Sequence, residues 1–255
     1  MHILVANDDG IHAQGILSLA SFLATFATVT VVAPDRPQSA SSHAITLHKP
    51  LYSDRVDFAP GIAAYQVNGT PADCVKLGVG ALCAEASTEP LDLVVSGINA
   101  GANLGHDIVY SGTASAAAEG ALLGLPAIAL SLTDAPFDYT AGTLVAKMLI
   151  HNVMQHGLPQ GTYLNVNIPP GAYDELQGIT MTKVGIRKYH NDYTKRVDPL
   201  GRHYYWQVGE PIVSDNDPDS DVIAISHGKV SVTPIKRDFT NTKLLATLGQ
   251  WKVTL

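Results

Sequence analysis

The chain has 255 residues, a length that suits one large α/β domain or a domain with an appendage. A chain of this size buries roughly 70–75% of its unfolded surface, so folding requires neither a disulfide nor a structural metal. Hydrophobic residues make up 46% and charged residues 15%, a globular composition that leans towards a buried sheet. The net charge of -7 argues against a nucleic-acid polymer as partner, while small phosphorylated ligands stay open because a divalent cation reverses the local field.

Ile3-Leu4-Val5-Ala6 is a continuous apolar run, as expected of a strand covered on both faces, and Asn7-Asp8-Asp9-Gly10 turns the chain after it. Ile16, Leu19, Phe22, Leu23 and Phe26 recur at helical spacing and predict a helix over Gly15 to Phe26. Val29 to Ala33 reads as the next strand, followed by strands at Ala64 to Val67, Leu91 to Val95 and Pro126 to Leu132. Helices are expected over Ala72 to Leu82 and Thr113 to Leu123, then from Thr140 to Met154, with a strand from Thr162 to Ile168. This alternation predicts a mostly parallel, Rossmann-like sheet flanked by helices.

Beyond Pro170 the character changes. Gly178 to Val184, Arg202 to Val208 and Lys229 to Thr233 are strand-like, Val213 to Asp221 is acidic and turn-rich, and a helix is expected near Asn241 to Leu248. The chain therefore reads as one domain over 1–255, with a core over 1–170 and a hairpin-rich extension over 171–255. The two cysteines, Cys74 and Cys83, form neither a zinc pattern nor a secreted disulfide framework. The N-terminus enters an apolar strand without a basic leader, and no apolar run reaches the ~18–20 residues of a membrane span. The expected location is the cytoplasm, and the Asn68-Gly69-Thr70 sequon is read as chance.

Four segments carry chemistry. Asp8-Asp9 follows the first strand, where open α/β sheets bind ligands; adjacent carboxylates there repel one another unless a hard cation lies between them. A solvated turn is the alternative. Ser96 to Gly105 follows another buried strand; Asn99 and Asn103 offer amide oxygens to a metal and amide donors to an anion. Ser111-Gly112-Thr113 opens a helix, either as a simple cap or as a phosphate site at the positive dipole end. In Gln38-Ser39-Ala40-Ser41-Ser42-His43, Ser39 could ligate a cation or act as a nucleophile, although no Gly-x-Ser-x-Gly elbow frames it. His43 is a candidate substrate contact or general acid, against the alternative of an incidental loop histidine. Together these groups fit metal-assisted hydrolysis of a phosphate ester.

The NDDG turn, the Ser39 loop, Gly69 to Val75, the run from Ser96 to Gly120, Asp198 to Gly201, Tyr205-Trp206 and Val230 to Pro234 resemble the SurE family of survival phosphatases. The resemblance runs essentially end to end. It implies 5′- and 3′-nucleotidase activity on mononucleotides, with activity on short-chain polyphosphate. It also implies one divalent metal per subunit (Mg²⁺, Mn²⁺ or Ca²⁺) held by Asp8, Asp9, Ser39 and Asn99, and a phosphate pocket of Asn103, Ser111, Gly112 and Thr113. A C-terminal hairpin exchanged between subunits of a homodimer or homotetramer is implied as well. The sequence departs from the family pattern at His43, where a smaller polar residue is expected, and at Ser220, in the expected assembly region. The expected mechanism is attack of water on phosphorus, with Asp8 or Asp9 orienting that water or accepting its proton; a covalent aspartyl-phosphate is its rival. A receiver-like signalling module and a non-catalytic nucleotide-binding protein are the alternatives from other classes.

Overall fold

The computed structural model describes residues 1–190, 192–209, 211–213 and 217–251. The apolar runs form β1 (His2–Ala6), β2 (Thr28–Pro34), β4 (Ala63–Val67), β5 (Leu91–Ala100), β6 (Ala127–Leu132) and β7 (Thr162–Ile168), while β3 (Ser53–Arg55) is a short addition. Helices α1 (Gln14–Leu23), α2 (Pro71–Leu77), α3 (Cys83–Ala86), α4 (Gly112–Leu122) and α5 (Tyr139–His156) alternate with them. The C-terminal part adds β8 (Ile179–Met181), β9 (Arg187–Tyr189), β10 (Asp192–Val197), β11 (His203–Val208), β12 (Pro211–Val213), α6 (Asp221–Ser226), β13 (Val230–Lys236) and α7 (Thr242–Leu248).

The main sheet has nine strands in the order β3-β4-β2-β1-β5-β6-β7-β13-β8. The six from β4 to β7 are parallel to their neighbours, whereas β3 and β13 pair antiparallel with β4 and β7. The chain builds outward from β1 through β2 to β4, then returns to place β5 on the other side of β1. The crevice between β1 and β5 is thus the point where such sheets bind ligands. Residues beyond 170, expected as an extension, contribute β13 and β8 to this sheet as well as the projecting ladders β10–β11 and β9–β12.

Apolar layers cover both faces. Ile3, Val5, Ile16, Leu19, Val95, Leu130 and Leu149 pack on the α1/α5 side. Leu4, Val32, Val75, Val94, Ala117 and Ala129 pack on the α2/α4 side. Helix α4 is almost all alanine, glycine and small polar residues, which lets it lie unusually close to the sheet. A Cβ added at Gly120 would come within 2.8 Å of the Val94 side chain. That proximity brings the start of α4 up to the end of β1.

Several boundaries differ from expectation for local reasons. Helix α1 ends at Leu23 rather than Phe26, where the Thr25 hydroxyl donates to the Phe22 carbonyl at 2.7 Å and closes the last turn. The helix expected over Ala72 to Leu82 loosens into a π-helical turn at Gly78–Leu82. Strand β5 runs on through the glycine-asparagine segment to Ala100, with a register shift against β6 between Ser96 and Asn99. Asn99 therefore sits at a strand end rather than in a free loop. Within the acidic stretch, Ser214, Asp215 and Asn216 lie outside the described residues, and Ser220 caps α6 by accepting from Ile223 N at 3.2 Å. Among the described residues no helix is long and apolar enough to cross a membrane.

Candidate active site

The turn after β1 is locked by Asn7. Its buried side chain donates from Nδ2 to Gly10 O at 2.9 Å and accepts from Gly10 N at 3.2 Å, mimicking a backbone turn. This fixes Asp8 and Asp9 at the carboxyl edge of the sheet. Asp8 is buried and Asp9 half-buried.

Asp8 is held by the start of α4. Thr113 Oγ1 donates to Asp8 Oδ1 at 2.5 Å, and the Thr113 backbone N–H also binds the carboxylate. Burial nonetheless raises the pKa of Asp8 above the ordinary aspartate value; the Thr113 hydrogen bond opposes that rise and the charge of Asp9 adds to it. Burial raises Asp9 too, with the Ala100 amide pulling the other way through a contact of 3.4 Å to Oδ2. Two adjacent carboxylates pushed towards protonation by burial form a site that a cation would ionise and stabilise.

The other segments close on this pair. Gln38 N donates to the Asp8 carbonyl at 2.7 Å, which brings Ser39 beside the turn. The Ala100 contact brings Asn99 beside Asp9. Asn99 Nδ2 donates to Gly101 O at 2.9 Å, so its Oδ1 is the atom left for a ligand. Ser111 caps α4 by accepting from Ala114 N at 3.0 Å. Gly112 lies so close to Asp8 that a Cβ there would be 2.7 Å from Asp8 Cβ, 2.9 Å from Asp8 Oδ2 and 2.9 Å from Ser41 Oγ.

Asn103 is part of a buried asparagine cluster. Its Nδ2 donates to Ser131 Oγ at 2.8 Å, its backbone N–H donates to Asn167 Oδ1, and its carbonyl accepts from Asn165 and Asn167. In this arrangement the side chain holds the loop, and its amide is already given to Ser131. The next turn is fixed by Asp221, which accepts from Gly105 N at 2.9 Å and Gly185 N at 2.8 Å. The Ser220–Asp221 region, expected to touch only assembly, is thus bonded to the loop that follows Asn103.

His43 has both ring nitrogens engaged. Arg237 Nη1 lies 2.5 Å from Nδ1, and Nε2 lies 2.7 Å from Glu119 Oε2. A guanidinium only donates, so Nδ1 accepts and Nε2 carries the proton that Glu119 receives. The His43 hydrogen bond holds the Glu119 carboxyl below its usual range against the opposing effect of burial, with Lys76 Nζ assisting at 3.2 Å. The Gly69 to Val75 segment explains itself as a capping box: Thr70 and Asp73 cap each other at 3.1 and 3.0 Å. Asp73 also accepts from Thr46 N and Oγ1 at 2.8 and 2.7 Å. The Thr-x-x-Asp spacing carried that signal; no comparable pattern marks Ser41, Glu119 or Arg237.

The donors suit a hard divalent cation: two carboxylates, a hydroxyl and an amide oxygen. Among the described residues no group of three or more His, Cys, Asp or Glu side chains could hold a metal ion, so neutral oxygens must complete any set built on Asp8 and Asp9.

The family profile of the survival protein SurE matches residues 3–191. The chain belongs to the SurE family. It is 48% identical over 260 residues to the 5′-nucleotidase SurE of Gloeobacter violaceus, covering 99% of this chain and 97% of that relative. It is also 48% identical over 257 residues to the 5′-nucleotidase SurE of Geobacter sulfurreducens, covering 100% and 95%. The crystal structure of a SurE protein from Aquifex aeolicus superposes with a TM-score of 0.84 at 39% identity, covering 97% of this chain and 98% of that one. The mostly parallel α/β architecture expected from the sequence is the one these proteins share.

Proposed function

We propose that this protein is a metal-dependent phosphomonoesterase that hydrolyses nucleoside 5′-monophosphates, and also 3′-monophosphates, to nucleoside and inorganic phosphate. The observation that carries the reading is the convergence of Asp8, Asp9, the Ser39 loop, Asn99 and the start of α4 at the crevice between β1 and β5. The family relationship and the printed activity of the relatives support it. Short-chain polyphosphate presents the same terminal phosphoryl group and is included in the proposal.

One divalent cation per subunit (Mg²⁺, Mn²⁺ or Ca²⁺), held by Asp8, Asp9, Ser39 and Asn99, would supply Lewis acidity for the phosphoryl oxygen and the attacking water. The protein does the positioning. Thr113 fixes the carboxylate of Asp8 through side chain and backbone. Asp9, half-buried where Asp8 is buried and bonded to Thr113, is the more open of the pair to orient water and accept its proton. Gly112 lets the first turn of α4 pack directly against Asp8, and the helix start framed by Ser111 and Thr113 favours the charge that develops on the equatorial oxygens. Asn103 shapes the pocket through its bonds to Ser131, Asn165 and Asn167. His43 supports the Ser39 loop from behind. We place this activity in the cytoplasm and in a homodimer or homotetramer joined by exchange of the β10–β11 hairpin.

Phosphate release from a panel of nucleoside 5′- and 3′-monophosphates, with Mn²⁺, Mg²⁺ or EDTA, tests the reading. Metal-dependent release is expected. Tight nucleotide binding with no release under any metal would replace it with a binding function.

A further inference from the structure

Ser41 combines three unusual features. Its Oγ is buried and has no hydrogen-bond partner among the described residues. Buried hydroxyls are ordinarily satisfied, and one that is not loses its interactions with water without replacement. The residues on either side, Ala40 and Ser42, have φ of 57° and 53°, left-handed values that non-glycine residues rarely adopt. Two such residues around an unsatisfied hydroxyl persist only where the surroundings impose them, a combination that gathers at functional sites.

The surroundings do impose them. Ser42 Oγ donates to Val109 O at 2.8 Å and Ser42 N to Tyr110 O at 3.0 Å. His43 is clamped between Glu119 and Arg237, and Thr70 Oγ1 donates to Ala44 O at 2.6 Å. These bonds press Ser41 towards the start of α4. Its Oγ and Asp8 Oδ2 each lie 2.9 Å from the point where a Cβ on Gly112 would stand. Only glycine permits so close an approach, which sets the Ser41 hydroxyl and the Asp8 carboxylate together against the first turn of α4.

We infer that Ser41 Oγ is a phosphoryl-contacting group of this site, donating its hydrogen bond to a non-bridging oxygen bound at the start of α4 beside Asp8. The inference rests on the phosphomonoesterase reading. It adds a neutral donor beside Asp8, where an incoming phosphate would otherwise face a carboxylate. A hydroxyl serving only to anchor the loop would be bonded to the surrounding protein, as that of Ser42 is to Val109 O.

The test compares Ser41→Ala and Ser41→Thr with wild type by three readouts: calorimetric binding of inorganic phosphate in the presence of Mn²⁺, kcat and KM for a nucleoside 5′-monophosphate, and Tm. Ser41→Ala is expected to weaken phosphate binding and lower kcat/KM by about tenfold or more. Its Tm should stay level or rise, because the unsatisfied hydroxyl is gone. Ser41→Thr keeps the hydroxyl and should recover much of the loss. Wild-type phosphate affinity and turnover in Ser41→Ala would overturn the inference, and so would a loss that tracks a fall in Tm. If the wild type released no phosphate, the phosphomonoesterase reading would fall, while the phosphate-binding comparison would still decide the role of Ser41.

Discussion

The segment over 38–46 has no regular secondary structure, whereas β10 and β11 form a six-pair antiparallel ladder. The irregular segment is nevertheless the better anchored. Along nine residues it bonds to Asp8, Val109, Tyr110, Glu119, Arg237, Thr70 and Asp73. Every residue of the ladder is exposed, Tyr193, Tyr205 and Trp206 at 61%, 58% and 62%. A two-stranded ribbon with uncovered aromatics is marginal by itself. The difference teaches that backbone regularity and integration into the fold are separate properties. The loop is held by backbone carbonyls and side chains drawn from five distant parts of the chain, which fixes Ser39 and Ser41 beside Asp8 and the start of α4. Among the described residues the ribbon is held chiefly by its own pairing, which fits the proposed exchange between subunits.

Perturbations of the two regions should therefore differ in size and kind. Asp73→Ala removes the reciprocal cap of α2 and both bonds to Thr46, and should destabilise the protein by about 2–3 kcal/mol while lowering turnover through the loosened loop. Denaturant unfolding with parallel assays measures both; an unchanged midpoint would show that the loop is anchored elsewhere. Trp206→Ala should change the stability of the isolated subunit by less than about 0.5 kcal/mol, as surface substitutions do. It should instead weaken self-association by about tenfold or more, as loss of a buried aromatic anchor does. Sedimentation across a concentration series separates these effects, and an unaltered association constant would remove the ribbon from the interface.

The central sheet was legible because β1, β2, β5 and β6 are dominated by apolar residues, a pattern that burial on both faces requires. Asp8 and Asp9 were legible for a related reason, since their position after β1 puts them at the ligand-binding edge. Strands β9, β10 and β12 were not. Asp192, Thr194, Lys195 and Arg196 give β10 no apolar alternation, because neither of its faces meets the core of its own subunit. The engagement of His43 was invisible too. Its partners lie 76 and 194 positions away, and only the assembled sheet, which delivers α4 and the end of β13 to the same place, reveals them. Ser41 escaped notice because a hydroxyl without a partner leaves no trace in a sequence.

The most direct test of the account is phosphate release by Asp9→Asn in saturating Mn²⁺ with a nucleoside 5′-monophosphate, alongside the wild type and with Tm measured for both. The account predicts a fall in kcat of about a hundredfold or more. Tm without added metal should be unchanged or higher, because burial disfavours the charge that the substitution removes. Turnover near the wild-type rate in a folded Asp9→Asn protein would contradict it.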